Sequence, residues 1–305
     1  MTGGPSIIRK PGADRSNLEL TNSLRSNFLA AQQDYSPPLS ATNGSGSPRS
    51  SSDEDLPSRR PQSSIWTTRD GSDYYIPTID WSLSGLCEER SQYDITVKLF
   101  YLHGAHVKDR AKHTKDAINL VLKELGVDSI DLLIVSFPGM SFDGDCEWEA
   151  DKKNSAQGND EEEIASWPAI EEIYNQGIVK RLGLSEFGSE KLSRFLARAK
   201  VRPQVDQVNI KDCCNVPPPL LKLAKMEQIE LLTHNDCTDI LPSGTLRELL
   251  GQGVRGAGVL SESKRGMNGM RGDLNPEWVV KYTAVVRDRG VIENKGYFAV
   301  AELNE

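Results

Sequence analysis

A chain of 305 residues with 44 acidic against 36 basic side chains, net charge −8, has the wrong sign to take a nucleic-acid backbone as its main partner. No apolar run approaches the roughly 20 residues that span a bilayer, and the opening MTGGPSIIRKPGADRSNLEL lacks the apolar stretch of a secretory signal. Five scattered cysteines with no C-x-x-C pair speak against a disulfide framework and a structural zinc site, so the expectation is a cytoplasmic protein with reduced thiols.

Residues 1–69 are rich in Ser, Pro, Asn and Arg and bury too little apolar area to offset about 1–2 kcal/mol of backbone entropy per residue. They are expected to form a disordered low-complexity tail. Within it Leu18, Leu24, Phe28 and Leu29 lie near helical spacing, which suits either a short docking helix over 17–31 or a transient one. Residues 70–305 form the folded domain. Its first clear strand is 95–100, followed by a helix over 109–125 that Gly126 stops. The run SIDLLIVS at 129–136 is nearly all apolar, as a strand buried on both faces requires. An acidic insertion at 142–163 is expected as a surface loop. Then come a helix at 167–176, a strand at 178–185, a helix at 189–199, a strand at 205–210, a helix at 219–226 and a strand at 229–234. Residues 251–272, rich in Gly, Ser and Arg, are expected as a flexible loop. The pattern predicts a helix over 275–289, with Pro276 in its first turn and Gly290 after it, and a terminal strand or hairpin over 291–300 turning at 294–296.

Strand and helix in strict alternation mean parallel strands with right-handed crossovers. The Gly-rich GQGVRG at 251–256 follows a helix rather than a strand, so it is no dinucleotide fingerprint. Five such strands suit either a doubly wound sheet or a barrel, and without that fingerprint the fold class expected is α/β, a (β/α)8 TIM-type barrel with its N-terminal part incomplete or modified. In such a barrel the C-terminal strand ends converge on one mouth, where Lys98, Ser136, Ser185, Gln207 and His234 would gather or simply cap the wall. No metal site is expected: the insertion lacks calcium-loop spacing, and His103 and His106 have no third ligand.

The stretch GIVKRLGLSEF followed by VDQV resembles the aldo/keto reductase pattern G-x-V-K-x-I-G-x-S-N-F and x-N-Q. The resemblance implies that Ser185 and Gln207 stand where a nicotinamide carboxamide is held, with Glu186 in place of an Asn. Lys98 matches the catalytic Lys, and Ser136 stands where the catalytic His is expected. No D-x-x-x-x-Y-G motif supplies the Tyr acid: Asp70 lies beside Tyr74 and Tyr75 without it. Carbonyl reduction needs a held hydride donor and a proton donor tuned by the Lys. Without the donor, Lys98 is a half-buried cation in need of a carboxylate, with Asp131 and Glu186 as candidates.

Segments VKLF, VNIKDCCNVPP, IELLTHND and WVVKYTAVVRDRGVIENKGY resemble one branch of that superfamily, the regulatory subunits of glutamate–cysteine ligase, over residues 65–305. This implies a non-catalytic partner in the first step of glutathione synthesis. It would form a heterodimer with the ligase catalytic subunit and improve its kinetics. No cofactor is required, residual NADP(H) binding being left open. Cys213 and Cys214 then offer a redox-sensitive contact or two small residues in a packed loop. Trp278, Tyr282, Arg287, Arg289, Lys295 and Tyr297 suit an interface by composition, or a helix on the barrel wall. The competing readings are an NADPH-dependent reductase of small carbonyl compounds with a rearranged acid, and a scaffold retaining a nucleotide pocket as a sensor.

Overall fold

A computed structural model describes residues 2–3, 17–35, 60–209, 215–237, 239–261 and 269–304. In chain order the elements are β1 (Thr2–Gly3), α1 (Asn17–Asp34), α2 (Ser63–Trp66), β2 (Thr68–Asp70), β3 (Asp73–Tyr75), β4 (Tyr93–Tyr101), α3 (Arg110–Leu125), β5 (Ile130–Ser136) and α4 (Glu147–Asn154). They continue with α5 (Asp160–Asn175), β6 (Val179–Ser185), α6 (Ser189–Leu196), β7 (Val205–Asn209), α7 (Pro218–Glu227), β8 (Glu230–His234), α8 (Thr245–Leu250), β9 (Asp273–Val286) and β10 (Val291–Asn304).

Strands β4 to β8 lie side by side and parallel, and helices α3, α5, α6 and α7 make the crossovers. Alternation decides which way each side chain faces. On β4, Ile95, Val97, Leu99 and Tyr101 enter the main core, where α3 and α5 supply Ala117, Val121, Trp167 and Ile170. The alternate residues Lys98, Phe100 and Leu102 face the concave side. Gly126, at φ +62, ends α3 in the left-handed conformation that only a residue without Cβ adopts freely.

The sheet runs β1-β10-β9-β4-β5-β6-β7-β8, and it is strongly curled. Four strand spacings separate β4 from β8, about 19 Å across a flat sheet, yet Lys98 on β4 reaches Asp236, just past β8, at 3.2 Å. This is the expected TIM-type α/β wall, modified where the N-terminal strands would stand. Among the described residues no parallel strand precedes β4; the antiparallel hairpin β9–β10 flanks it instead.

Three expectations are corrected. First, residues 17–34 belong to the fold rather than to a tail. Leu20, Leu24 and Phe28, spaced by four, are at most 2% exposed and pack on Trp66, Phe100, Leu102, Val279 and Tyr297, whereas Leu18 and Leu29 face outward. Burial of that one stripe offsets the ordering entropy that a weakly apolar 18-residue helix cannot offset alone. Residues 4–16 and 36–59 lie outside the described residues.

Second, the acidic insertion is mostly helical. Asn159 caps α5 by accepting from the N–H groups of Glu161 and Glu162, and Asp160, Glu161, Glu162 and Glu163 fill the first turn, where the helix dipole favours carboxylates. One face of α4 is buried and braces the next crossover. Asp151 accepts from Ser189 N–H at 2.6 Å and from its hydroxyl at 2.5 Å, while Asn154 accepts from Gly188 N–H at 2.6 Å and donates to the Glu186 carbonyl at 2.8 Å. Helix α6 has no side-chain cap of its own, so its start is capped from α4. Asp151→Ala should cost about 1–2 kcal/mol in urea unfolding, whereas the exposed Asp128→Ala should cost within about 0.5 kcal/mol.

Third, residues 275–289 fall in a strand and a turn. Trp278, Val280, Tyr282, Ala284 and Val286 share one buried face at a period of two, and β9 is paired on both sides, by β4 and β10. The chain turns over Arg287–Gly290, with Gly290 at φ +61, instead of at 294–296. The 251–272 segment is likewise no simple flexible loop: Ala257, Val259 and Leu260 are buried, and Leu260 bridges Met270. Residues 262–268 lie outside the described residues.

Candidate functional site

The strand ends bring Lys98, Ser185, Gln207 and His234 together, as the sequence predicts. The Lys98 ammonium, 4% exposed, donates to Gln207 Oε1 at 2.8 Å and to Asp236 Oδ2 at 3.2 Å, lies 3.4 Å from His234 Nδ1, and sits 5.0 Å from the centre of the Phe100 ring. Ser185 Oγ lies 3.3 Å from the Gln207 carbonyl and 3.4 Å from His234 Nε2. Ser136 ends β5 and is buried, opposite Phe100 in the ladder.

His234 is oriented from both sides. The Asp236 N–H donates to its Nδ1 at 3.0 Å, which leaves Nε2 to carry the ring proton. Nε2 faces the Glu186 carboxylate at very close range. Glu186 Oε1 also accepts from Asn209 N–H at 2.9 Å. Glu186 itself holds φ +66, strained for a non-glycine residue and kept so by surrounding contacts that include the Asn154 amide on its carbonyl.

Burial pushes the Lys98 ammonium below its ordinary range, opposed by the charges of Asp236 and Glu186. For Asp236 burial pushes upward, but Lys98 and Lys281 outweigh it and hold the carboxyl well below the usual range. Asp206, fully buried on β7 behind this cluster, is driven well above that range by burial.

Two of the carboxylates expected for Lys98 are placed differently. Asp131 stands at the opposite end of β5, bound by Arg90, Lys180 and Arg287. Glu186 contacts His234, and Asp236 makes the ion pair with Lys98. Asp236 and Lys281 are the site residues that the sequence reading missed. The signal was present, since a lysine on the concave face needs a carboxylate at a neighbouring strand end, and LLTHND supplies one two residues past His234.

The interface residues divide. Trp278, Tyr282 and Tyr297 are at most 4% exposed: Trp278 and Tyr282 lie in the main core, Tyr282 stacked on Phe298, and Tyr297 lies under α1. They are core residues, because the segment is a strand with two covered faces. Lys295 binds Glu19 of α1. Arg287 and Arg289 stand in the exposed β9–β10 turn, paired with Asp94 and Glu88. Cys213 and Cys214 lie outside the described residues. No group of three metal-ligating side chains occurs among the described residues, and no helix there is long and apolar enough to cross a membrane.

A curled, mainly parallel α/β sheet with Lys, Ser and Gln on its strand ends agrees with the pattern of the aldo/keto reductase family, which matches residues 70–268; the chain belongs to that family. It is similar to the glutamate–cysteine ligase regulatory subunit of Mus musculus, 26% identical over 215 residues that cover 70% of this chain and 68% of that one. An NADPH-dependent alpha-keto amide reductase of Saccharomyces cerevisiae is 30% identical over 115 residues, covering 37% of this chain and 32% of that one. Among solved structures, a Bombyx mori aldo-keto reductase in complex with NADP matches with TM-score 0.33 and 21% identity, over 46% of this chain and 40% of that one. The chain thus spans less than half of these two reductases.

Proposed function

We propose that this chain is a non-catalytic regulatory subunit of glutamate–cysteine ligase, a cytoplasmic protein that forms a heterodimer with the catalytic subunit and raises its activity in the first step of glutathione synthesis. The observation that carries the reading is the surroundings of Lys98. Its polar neighbours among the described residues are Gln207, Asp236 and His234, with no tyrosine hydroxyl among them. Tyr74 bonds Thr67 instead. With no tyrosine hydroxyl beside it, the Lys98 cation has no such acid to tune, and carbonyl reduction needs one. The greater length of the match to a regulatory subunit than to a reductase supports the same reading.

His234 beside Lys98 is the feature that favours the alternative, an NADPH-dependent reductase of small carbonyl compounds with a rearranged acid. Its ring proton is directed at the Glu186 carboxylate, however, which holds it. Arg287 and Arg289 remain proposed contacts to the catalytic subunit, as do Cys213 and Cys214 for a redox-sensitive one.

Co-expression with a glutamate–cysteine ligase catalytic chain tests the proposal. The two chains should co-purify, and ligase kinetics with the pair should show a lower KM for glutamate than the catalytic chain alone. Separate elution with unchanged kinetics would refute it.

A further inference from the structure

The family implies a nicotinamide dinucleotide at the barrel mouth, and the residues present do not fit one. A carboxamide offers one acceptor oxygen and an NH2 donor. The acceptor that its NH2 would use, Gln207 Oε1, already accepts from Lys98 at 2.8 Å. Ser185 is fully buried beside the Gln207 carbonyl and the His234 ring. Glu186 can only accept, so it offers the carboxamide oxygen no donor; its Oε1 is held by His234 and Asn209, and its Oε2 is buried without a partner among the described residues. Asp236 adds a second carboxylate to the same cluster, on Lys98.

The register explains what these groups do instead. Lys98 on β4 stands directly opposite Lys281 on β9, which stands opposite Tyr297 on β10. Two ammonium groups facing each other across a ladder repel. Asp236 sits between them, with Oδ2 on Lys98 at 3.2 Å and Oδ1 on Lys281 at 2.8 Å. Lys281 lies 3.9 Å from Glu19 of α1, and Glu19 binds Lys295 at 2.8 Å. The result is a row of alternating sign, Lys98, Asp236, Lys281, Glu19, Lys295, running from β4 past the end of β8 and across β9 to α1 and β10. Helix α1 lies on the same concave face, with Phe28 and Leu24 in one cluster with Phe100 and Leu102.

We infer that the strand-end cluster is a latch: the charge row fastens α1 over the concave face next to Lys98, and the cluster's internal bonds close the nicotinamide position to dinucleotides. The inference goes beyond the regulatory reading and can fail separately from it.

The test titrates NADPH fluorescence with the full chain, with Ser185→Ala and with Glu19→Gln, and follows amide hydrogen exchange of residues 17–34. No saturable binding up to about 1 mM supports the latch, as does weak binding that Ser185→Ala leaves unchanged. Glu19→Gln should raise exchange in α1 at least fivefold with the barrel strands unaffected. Saturable binding abolished by Ser185→Ala would overturn the closed nicotinamide position, and unchanged α1 exchange would overturn the charge row as its fastening. Binding without turnover leaves the regulatory reading intact; turnover of a carbonyl substrate removes both.

Discussion

Asp236→Ala is expected to destabilise the protein by about 3–5 kcal/mol, the cost of leaving a buried cation without its partner. Lys98 is 4% exposed and would keep Gln207, the edge of His234 and the Phe100 ring as neighbours, while Lys281 opposite it would repel without Asp236 between them. The pH dependence gives the change a signature. Asp236 has a depressed folded pKa, so its contribution is fully present above the unfolded carboxylate value of about 3.9 and is lost as pH falls through the lower folded value. Lys98 also has a depressed folded pKa, so between that value and the unfolded one, about 10.4, the unfolded state binds more protons and stability rises with pH. Removing Asp236 takes away an upward influence on Lys98, and in the variant this rising window begins at lower pH. The gap between parent and variant should therefore be widest near neutrality and narrow toward both acid and alkali. Urea unfolding at a series of pH values checks it. A gap below about 1 kcal/mol at every pH would mean that the pair is dispensable.

Phe28→Ala is the second large effect, expected at about 3–5 kcal/mol. Phe28 is 2% exposed, with its ring centre 6.2 Å from that of Trp66. A whole domain is stable by only about 5–15 kcal/mol, so the loss would show plainly in the unfolding midpoint. The same substitution in a solvated tail would change stability within about 0.5 kcal/mol. Leu29→Ala, on the exposed side of the same helix, serves as the control and should fall in that small range.

These two residues also mark where the sequence was legible and where it was not. The five βα strands were visible because each carries its own local signal: the unbroken apolar run of β5, the glycine that ends α3, the alternation on β4. Convergence of Lys98, Ser185, Gln207 and His234 then follows from parallel topology alone. What failed depended on contacts distant in the chain. Helix α1 is only weakly amphipathic, and its burial comes from Trp66 and Phe100 together with β9, β10 and α8, the last three more than 200 residues away. Strand β9 looked helical because Pro276 and Gly290 sat where helix signals are expected. Pro276 is tolerated in the strand because it pairs with Ala301 where the register shifts. Asp236 lies two residues past a strand end, a position whose partners only the curled sheet reveals.

Glu186 shows a different limit. The sequence marks it as a departure from the family Asn, but not the backbone it must adopt. At φ +66 an Asn is comfortable and a Glu is not. The structure keeps the strained Glu by binding its carboxylate to His234 and its carbonyl to Asn154 of α4. The insertion that looked like a solvated loop therefore supports the site from behind.

The most direct measurement of the central claim is NADPH oxidation by the purified chain across a panel of aldehydes and ketones, beside Lys98→Ala. With no tyrosine hydroxyl beside its lysine among the described residues, and the His234 proton held by Glu186, the parent should show no turnover above the variant or the buffer. Carbonyl-dependent oxidation that Lys98→Ala abolishes would contradict the account.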